Sequence, residues 1–291
     1  VVLSGPRRYH RDMIPLRDTL RSHRFPAVTV SLILINLLVF LYQGYLGTRP
    51  VMVNDLGPWR DAQLVPPPAF SGPSYQQYVR DGGDPSKYPI SASNELIARF
   101  ALIPGELLGG RDLPPTLPLP LWLTLLTSAF LHAGLLHLLG NMLYLWIFGD
   151  NVEDAMGHVR FLIFYVACAV AAGAAQIAVD PRSPLPMIGA SGAIAGVLGA
   201  YLVLFPLSRI VTLIPIFFFV RLVAIPAVLL LGLWFVLQIV SGLGSTGGAG
   251  GTAWFAHIGG FTAGLLLVVL FRRKGVPMTL WRMIRRRPAA L

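Results

Sequence analysis

The chain has 291 residues, of which 55% are hydrophobic and only 12% charged, with a formal net charge of +10. That balance is too apolar for an ordinary soluble domain and places the chain among membrane proteins. The positive charge does not point to nucleic acid, because no aromatic-and-basic recognition motif accompanies it. Instead Arg7, Arg8, Arg11, Arg17, Arg21 and Arg24 precede the first apolar run, and Arg272, Arg273, Lys274, Arg282, Arg285, Arg286 and Arg287 follow the last. Basic residues flanking membrane spans mark the cytoplasmic side and attract anionic headgroups.

In chain order, residues 1–26 read as a basic cytoplasmic segment. Within it, Val1 to Asp12 is short and poor in apolar residues, and MIPLRD from Met13 has the look of a usual start. Val1 to Asp12 is therefore expected to be an upstream extension that adds little to the fold. The first apolar stretch is long and lacks a small-residue cleavage site, unlike a signal peptide.

Measured against a hydrocarbon core of about 30 Å, or about 20 helical residues, the apolar runs predict six spans. These are Ala27 to Leu46, Leu131 to Phe148, Val159 to Val179, Met187 to Pro206, Leu222 to Ser241 and Ala253 to Phe271. The expected fold is an all-α membrane protein, a bundle of six transmembrane helices with a long first extramembrane loop. An even number of spans puts both termini on one side. Arg160, Arg209 and Arg221 fall in loops on that side, whereas the opposite short loops hold only Arg182, so the termini are expected in the cytoplasm.

The extracytoplasmic loop, residues 47–120, begins irregularly around Pro66, Pro67 and Pro68. Asn94 to Leu108 has helical spacing and predicts a short surface helix. Leu117 to Leu131, interrupted by Pro118 and Pro120, is expected to lie along or dip into the outer face. Gly242 to Thr252 is almost all Gly, Ser, Thr and Ala, cheap to move, and is expected to be a lid over Ser191 and His257; the alternative is a plain flexible connector. Residues 272–291 read as a basic cytoplasmic tail.

The chemistry narrows by elimination. Cys168, the single cysteine, lies within an apolar run and suits packing. No HExxH string or cysteine cluster supplies a metal-ligand set. Asp150 has no second intramembrane aspartate with which to form a dyad. A transporter predicts charged residues in mid-span, and none is present beyond histidines. Two strings remain: GASG, Gly189 to Gly192, and AHIGG, Ala256 to Gly260. They place Ser191 and His257 near the starts of two spans that run in the same direction, at one depth. Gly192, Gly196 and Gly199 on one helix, with Gly260 and Gly264 on the other, permit close helix packing. A serine with a histidine is the minimum pair for nucleophilic acyl transfer; the alternative is that the glycines are packing devices and Ser191 a small interface residue.

The string HAGLLHLLGN adds His132, His137 and Asn141. Residues 137 and 141 share a helix face. With the Ser191 backbone amide they could point N–H groups at one oxyanion; the alternative is a polar network between helices. His132 is expected at the span's outer end, within reach of water.

HAGLLHLLGN, GASG and AHIGG with its following GxxxG, on the second, fourth and sixth of six spans, resemble the rhomboid intramembrane serine proteases. The resemblance runs from PAVTVSLILINLLVF to the sixth span. It implies that residues 27–271 form the catalytic domain, with Ser191 the nucleophile and His257 the general base. It implies oxyanion-stabilising roles for His137 and Asn141, and a more structural one for His132. It also implies membrane-protein substrates, single-span or multi-span, and no metal or nucleotide cofactor. Abundant Arg, Ala, Leu and Pro suggest a bacterium with a GC-rich genome, and the expected location of a membrane-spanning chain there is the bacterial inner membrane.

Three departures stand out. Trp122 is followed by Leu123, where many members have arginine. Ala195 stands where many have an aromatic residue packed on the histidine. Arg49 to Ser93 reads as an insertion. The rival expectation is a catalytically silent rhomboid-like protein that binds transmembrane clients, although such proteins typically lose the serine or the histidine.

Overall fold

A computed structural model of the chain describes residues 18–20, 22–47, 49–54, 80–83, 87–216, 219–244 and 252–285. Val1 to Asp12, the middle of the inserted first-loop segment and most of the Gly242 to Thr252 connector lie outside the described residues.

The chain is mostly helical. Helix α1 spans Ala27–Leu46 and matches the first apolar run, which Pro26 and Gly47 bound. Strands β1 (Pro50–Asn54) and β2 (Lys87–Ser91) pair antiparallel, closing the two ends of the inserted segment against each other. Helices α2 (Ala92–Phe100) and α3 (Pro104–Gly109) follow. Three short helical turns from Leu121 to Phe130 lead at a bend of 86° into α4, Leu135–Met156. Next come α5 (His158–Val179) and α6 (Ser191–Leu204). The antiparallel hairpin β3 (Arg209–Ile216) and β4 (Phe219–Pro226) precedes α7 (Ala227–Gly244), α8 (Trp254–Phe271) and α9 (Thr279–Arg285).

Among the described residues, α1, α5, α7 and α8 are each long and apolar enough to cross a membrane. The bent pair Leu121–Phe130 and α4 makes a fifth candidate. Helix α6 is the short member; its 14 residues rise about 21 Å. It is also the most enclosed, with every residue from Ala193 to Leu204 buried. Helices α4, α5, α7 and α8 pack around it. Outward-facing Leu38, Leu41, Leu136, Leu237, Leu243 and Leu270 are all more than half exposed, as an integral membrane protein requires where lipid is the solvent.

Three expectations are corrected. The surface helix over Asn94 to Leu108 is two helices. Ala101, Leu102 and Ile103 between them are each 1% exposed, and Pro104 disfavours helix in the residue before it. Leu102 exchanges backbone hydrogen bonds with Met187, at 3.1 and 2.8 Å, which ties the first loop to the approach to α6.

The run from Leu222 begins as strand. Val223 and Ile225 favour extended backbone, and Pro226 keeps the helix from starting earlier. The two short ribbons are additions to a chain that is otherwise helical, consistent with the all-α expectation. Finally, α4 starts after Leu131 to Gly134 and continues past Phe148 to Met156. Its polar end is satisfied. Glu153, 1% exposed, accepts from Val28 N at 2.9 Å, Thr29 N at 2.8 Å and Thr29 Oγ1 at 2.7 Å. That occupies free amides at the start of α1, which have no intrahelical partner. Asn151 Nδ2 donates to Asp18 Oδ2 at 2.9 Å, and Arg273 pairs with Asp154 at 3.0 Å.

In the first loop, burial first and the neighbouring Asp112 carboxylate second push Glu106 up from an ordinary 4.5 to about 8. The folded protein then holds this proton more tightly than the unfolded chain, so stability falls as pH rises from about 4.5 to about 8. Glu106→Gln removes that contribution. Thermal melts in detergent across this window should show a flatter pH dependence for the variant, and a higher midpoint than wild type at pH 8. Parallel curves would contradict the assignment.

Candidate active site

Helix α6 begins at Ser191 because the chain turns sharply at Gly189, whose φ of +116° side-chain-bearing residues rarely adopt. Gly189 N donates to Ser128 O at 2.8 Å, anchoring the turn. A Cβ at Gly189 would lie 2.8 Å from Cε1 and Nε2 of His137, so the missing side chain also leaves room for that imidazole. Ser191 thus occupies the first turn of a helix, where backbone N–H groups have no intrahelical acceptor and the dipole favours negative charge.

Helix α8 approaches α6 backbone to backbone. A Cβ at Gly260 would strike the carbonyl oxygen of Gly192, and one at Gly264 the carbonyl oxygen of Gly196. On the α6 side, a Cβ at Gly199 would strike Phe261 O, and one at Gly196 would strike Cys168 Sγ on α5. Gly192 faces Ala172 of α5 in the same way, at 2.6 Å. The stripe of glycines is therefore a steric necessity at this separation. Cys168 is buried and serves that packing.

The approach brings Ser191 Oγ to 2.8 Å from His257 Nε2. The other ring nitrogen, Nδ1, lies 2.8 Å from Oε1 of Gln238 on α7. Two indoles flank the imidazole. Trp234 is tilted at 36° with centroids 6.0 Å apart, and Trp254 meets it edge-on at 6.3 Å. Ser191 and His257 are both half-buried. The ring support that Ala195 cannot provide comes from α7 and from the start of α8.

The second-helix residues divide. His137 and Asn141 lie on α4 as expected, His137 half-buried beside Gly189 and Asn141 buried. Asn141 Nδ2 sits 3.0 Å from His132 Nε2, so one of its two amide protons is committed there and one is left. His132 is not water-exposed, which corrects the expectation. It is 1% exposed and precedes the helix, its backbone N and O clamped by Oε1 and Nε2 of Gln43 at 3.2 and 3.1 Å. The His132 and His137 rings meet edge to face with centroids 5.1 Å apart. His132 thus orients Asn141 from behind.

Gln43, Gln176 and Gln238 were not singled out by the sequence pattern. Gln176 Oε1 accepts from Ala256 N at 3.3 Å, just ahead of His257. The available signal was an uncharged amide in each of three strongly apolar helices, a costly placement without a partner.

The Rhomboid domain family profile matches residues 120–274, more than half of the chain. The chain belongs to the rhomboid family. It is 46% identical over 81 residues to Rhomboid protease GluP of Bacillus subtilis, covering 28% of this chain and 15% of that one. It is 35% identical over 147 residues to RHOMBOID-like protein 1 of Arabidopsis thaliana, covering 50% and 34%. It is 29% identical over 164 residues to the chloroplastic Rhomboid-like protein 11 of the same plant, covering 53% and 54%. The matches thus span at most about half the length of these relatives.

Overpacking the helix seam should separate the site from the bundle. Gly264→Ala forces its new methyl against the Gly196 backbone, at an expected cost of about 1–3 kcal/mol. The variant should melt earlier than wild type. Gly232, where a Cβ meets nothing within 4 Å, should accept alanine without loss. Equal melting of the two variants would contradict the close-packed seam.

Proposed function

We propose that this protein is an intramembrane serine endopeptidase that cleaves transmembrane substrate proteins, with Ser191 as nucleophile and His257 as general base. The observation that carries the reading is the 2.8 Å separation of Ser191 Oγ and His257 Nε2, across two helices that have no charged residue to offer. A substrate helix unwinds locally and presents a carbonyl carbon to Ser191. As the C–O bond forms, His257 Nε2 takes the hydroxyl proton, then delivers it to the leaving amine. Water completes the cycle by hydrolysing the acyl-enzyme. The developing oxyanion is met by the Ser191 backbone amide, by the second amide proton of Asn141 and by His137.

Residues 27–271 form a six-span catalytic domain, in which α6 crosses as the short central span. Residues 1–26 and 272–291 are basic cytoplasmic flanks, and the inserted first-loop segment is extracytoplasmic. The host membrane is a bacterial inner membrane, and the substrates are single-span or multi-span membrane proteins. The presence of both Ser191 and His257 at hydrogen-bond distance favours catalysis over silent client binding.

Purified protein in detergent, incubated with a panel of single-span proteins, tests the proposal. Wild type should cleave at least one panel member. Ser191→Ala and His257→Ala should each abolish cleavage while retaining the wild-type melting curve. The double variant should be scarcely worse than either, because the pair acts as a unit. Substantial turnover by Ser191→Ala would refute the reading.

A further inference from the structure

We infer that Gln238 is a positioning residue for the reaction: its amide oxygen fixes the tautomer and orientation of His257, completing a Ser191–His257–Gln238 chain of hydrogen bonds. The inference rests on the protease reading and extends it to a third residue.

A neutral imidazole has one N–H and one acceptor nitrogen. For Nε2 to take the Ser191 proton, it must be the acceptor, and the ring proton must sit on Nδ1. That proton needs an acceptor in a half-buried, apolar setting. Gln238 Oε1 is 2.8 Å away, on the far side of the ring from Ser191. The reverse arrangement, with the Gln238 NH₂ toward the ring, would leave the proton on Nε2 and the nitrogen facing Ser191 unable to act as base.

The surroundings support a fixed role. Gln238 is 7% exposed, in a helix whose other buried residues are Ala227, Leu231 and Gly242. Trp234, one turn earlier on the same face of α7, packs on the His257 ring. Helix α7 therefore supplies both the hydrogen-bond acceptor and the ring support that Ala195 on α6 lacks. When His257 takes the serine proton, both ring nitrogens become donors. The Gln238 carbonyl dipole then faces the cation without taking a proton, and His257 carries that proton on to the leaving amine.

The test uses the full-length protein in detergent, with a substrate the wild type cleaves. Nitrogen-15 NMR of labelled histidine in the wild type should show the resting His257 ring protonated at Nδ1, with Nε2 bare. Gln238→Met, nearly isosteric but without the acceptor, should lower kcat on the order of 10²-fold. KM should change by less than about threefold, the split expected when ground-state binding is intact. Its ring spectrum should show a mixture of tautomers. Gln238→Glu restores an acceptor oxygen and should keep kcat within about tenfold of wild type, since the Nδ1–H bond is retained.

Wild-type kcat in a folded Gln238→Met variant overturns the inference, as does a wild-type ring protonated at Nε2. If the methionine variant does not fold, the wild-type spectrum and the glutamate variant still decide. An active wild type with an indifferent Gln238→Met removes this inference alone. A wild type that cleaves nothing and is unchanged by Ser191→Ala removes the protease reading and this inference with it.

Discussion

The contact on which the site depends is the backbone approach of α6 and α8. Two helices bearing ordinary side chains keep their axes about 8–10 Å apart. Here the Cβ positions of Gly260 and Gly264 point into the carbonyls of Gly192 and Gly196. A serine and a histidine side chain are short, and both project from helix starts. A side chain at Gly199, Gly260 or Gly264 would meet the facing backbone, so the helices would have to move apart there, away from the geometry that sets the 2.8 Å hydrogen bond. Lipid supplies no hydrophobic drive between helices, so close packing and interhelical hydrogen bonds must hold them.

The remaining elements serve that contact. Cys168, Ala172 and Ala175 of α5 close the far side of the seam with small side chains. Glu153 locks α1 to α4 at one end of the bundle. At the other end, the first loop is stitched through Leu102 to Met187, and Ser128 holds Gly189, so the turn leading into Ser191 is braced from two directions. Three glutamines complete the frame. Gln43 holds the backbone of His132, Gln176 receives the amide of Ala256, and Gln238 faces His257. Each amide offers a donor and an acceptor without the desolvation cost of a charge, which suits an apolar interior.

Much of this was legible in the sequence. A continuous apolar run bounded by Pro26 and Gly47 gave the limits of α1, and the apolar run before Arg272 marked α8 to within one residue. GASG and AHIGG singled out Ser191 and His257, which the fold brings within 2.8 Å of each other, because polar groups in apolar runs need a reason. The misses have physical causes. The ribbon β3–β4 hides in an apolar stretch whose β-branched residues suit a strand as well as a buried helix, and only Pro226 marks the change. His132 looked accessible because sequence position does not reveal that the segment 121–130 turns by 86° beside it. Gln238 carries no titratable group and belongs to no spaced motif; its role exists only once α7 stands against α8.

The central claim is that the seam makes Ser191 a nucleophile by placing it against His257. Covalent labelling by a small fluorophosphonate, mapped by peptide mass spectrometry, tests it most directly, because it needs no natural substrate. The account predicts a single phosphonylated residue, Ser191, with labelling lost in His257→Ala although that variant remains folded. Labelling at another residue, or labelling of Ser191 at an unchanged rate without His257, would contradict it.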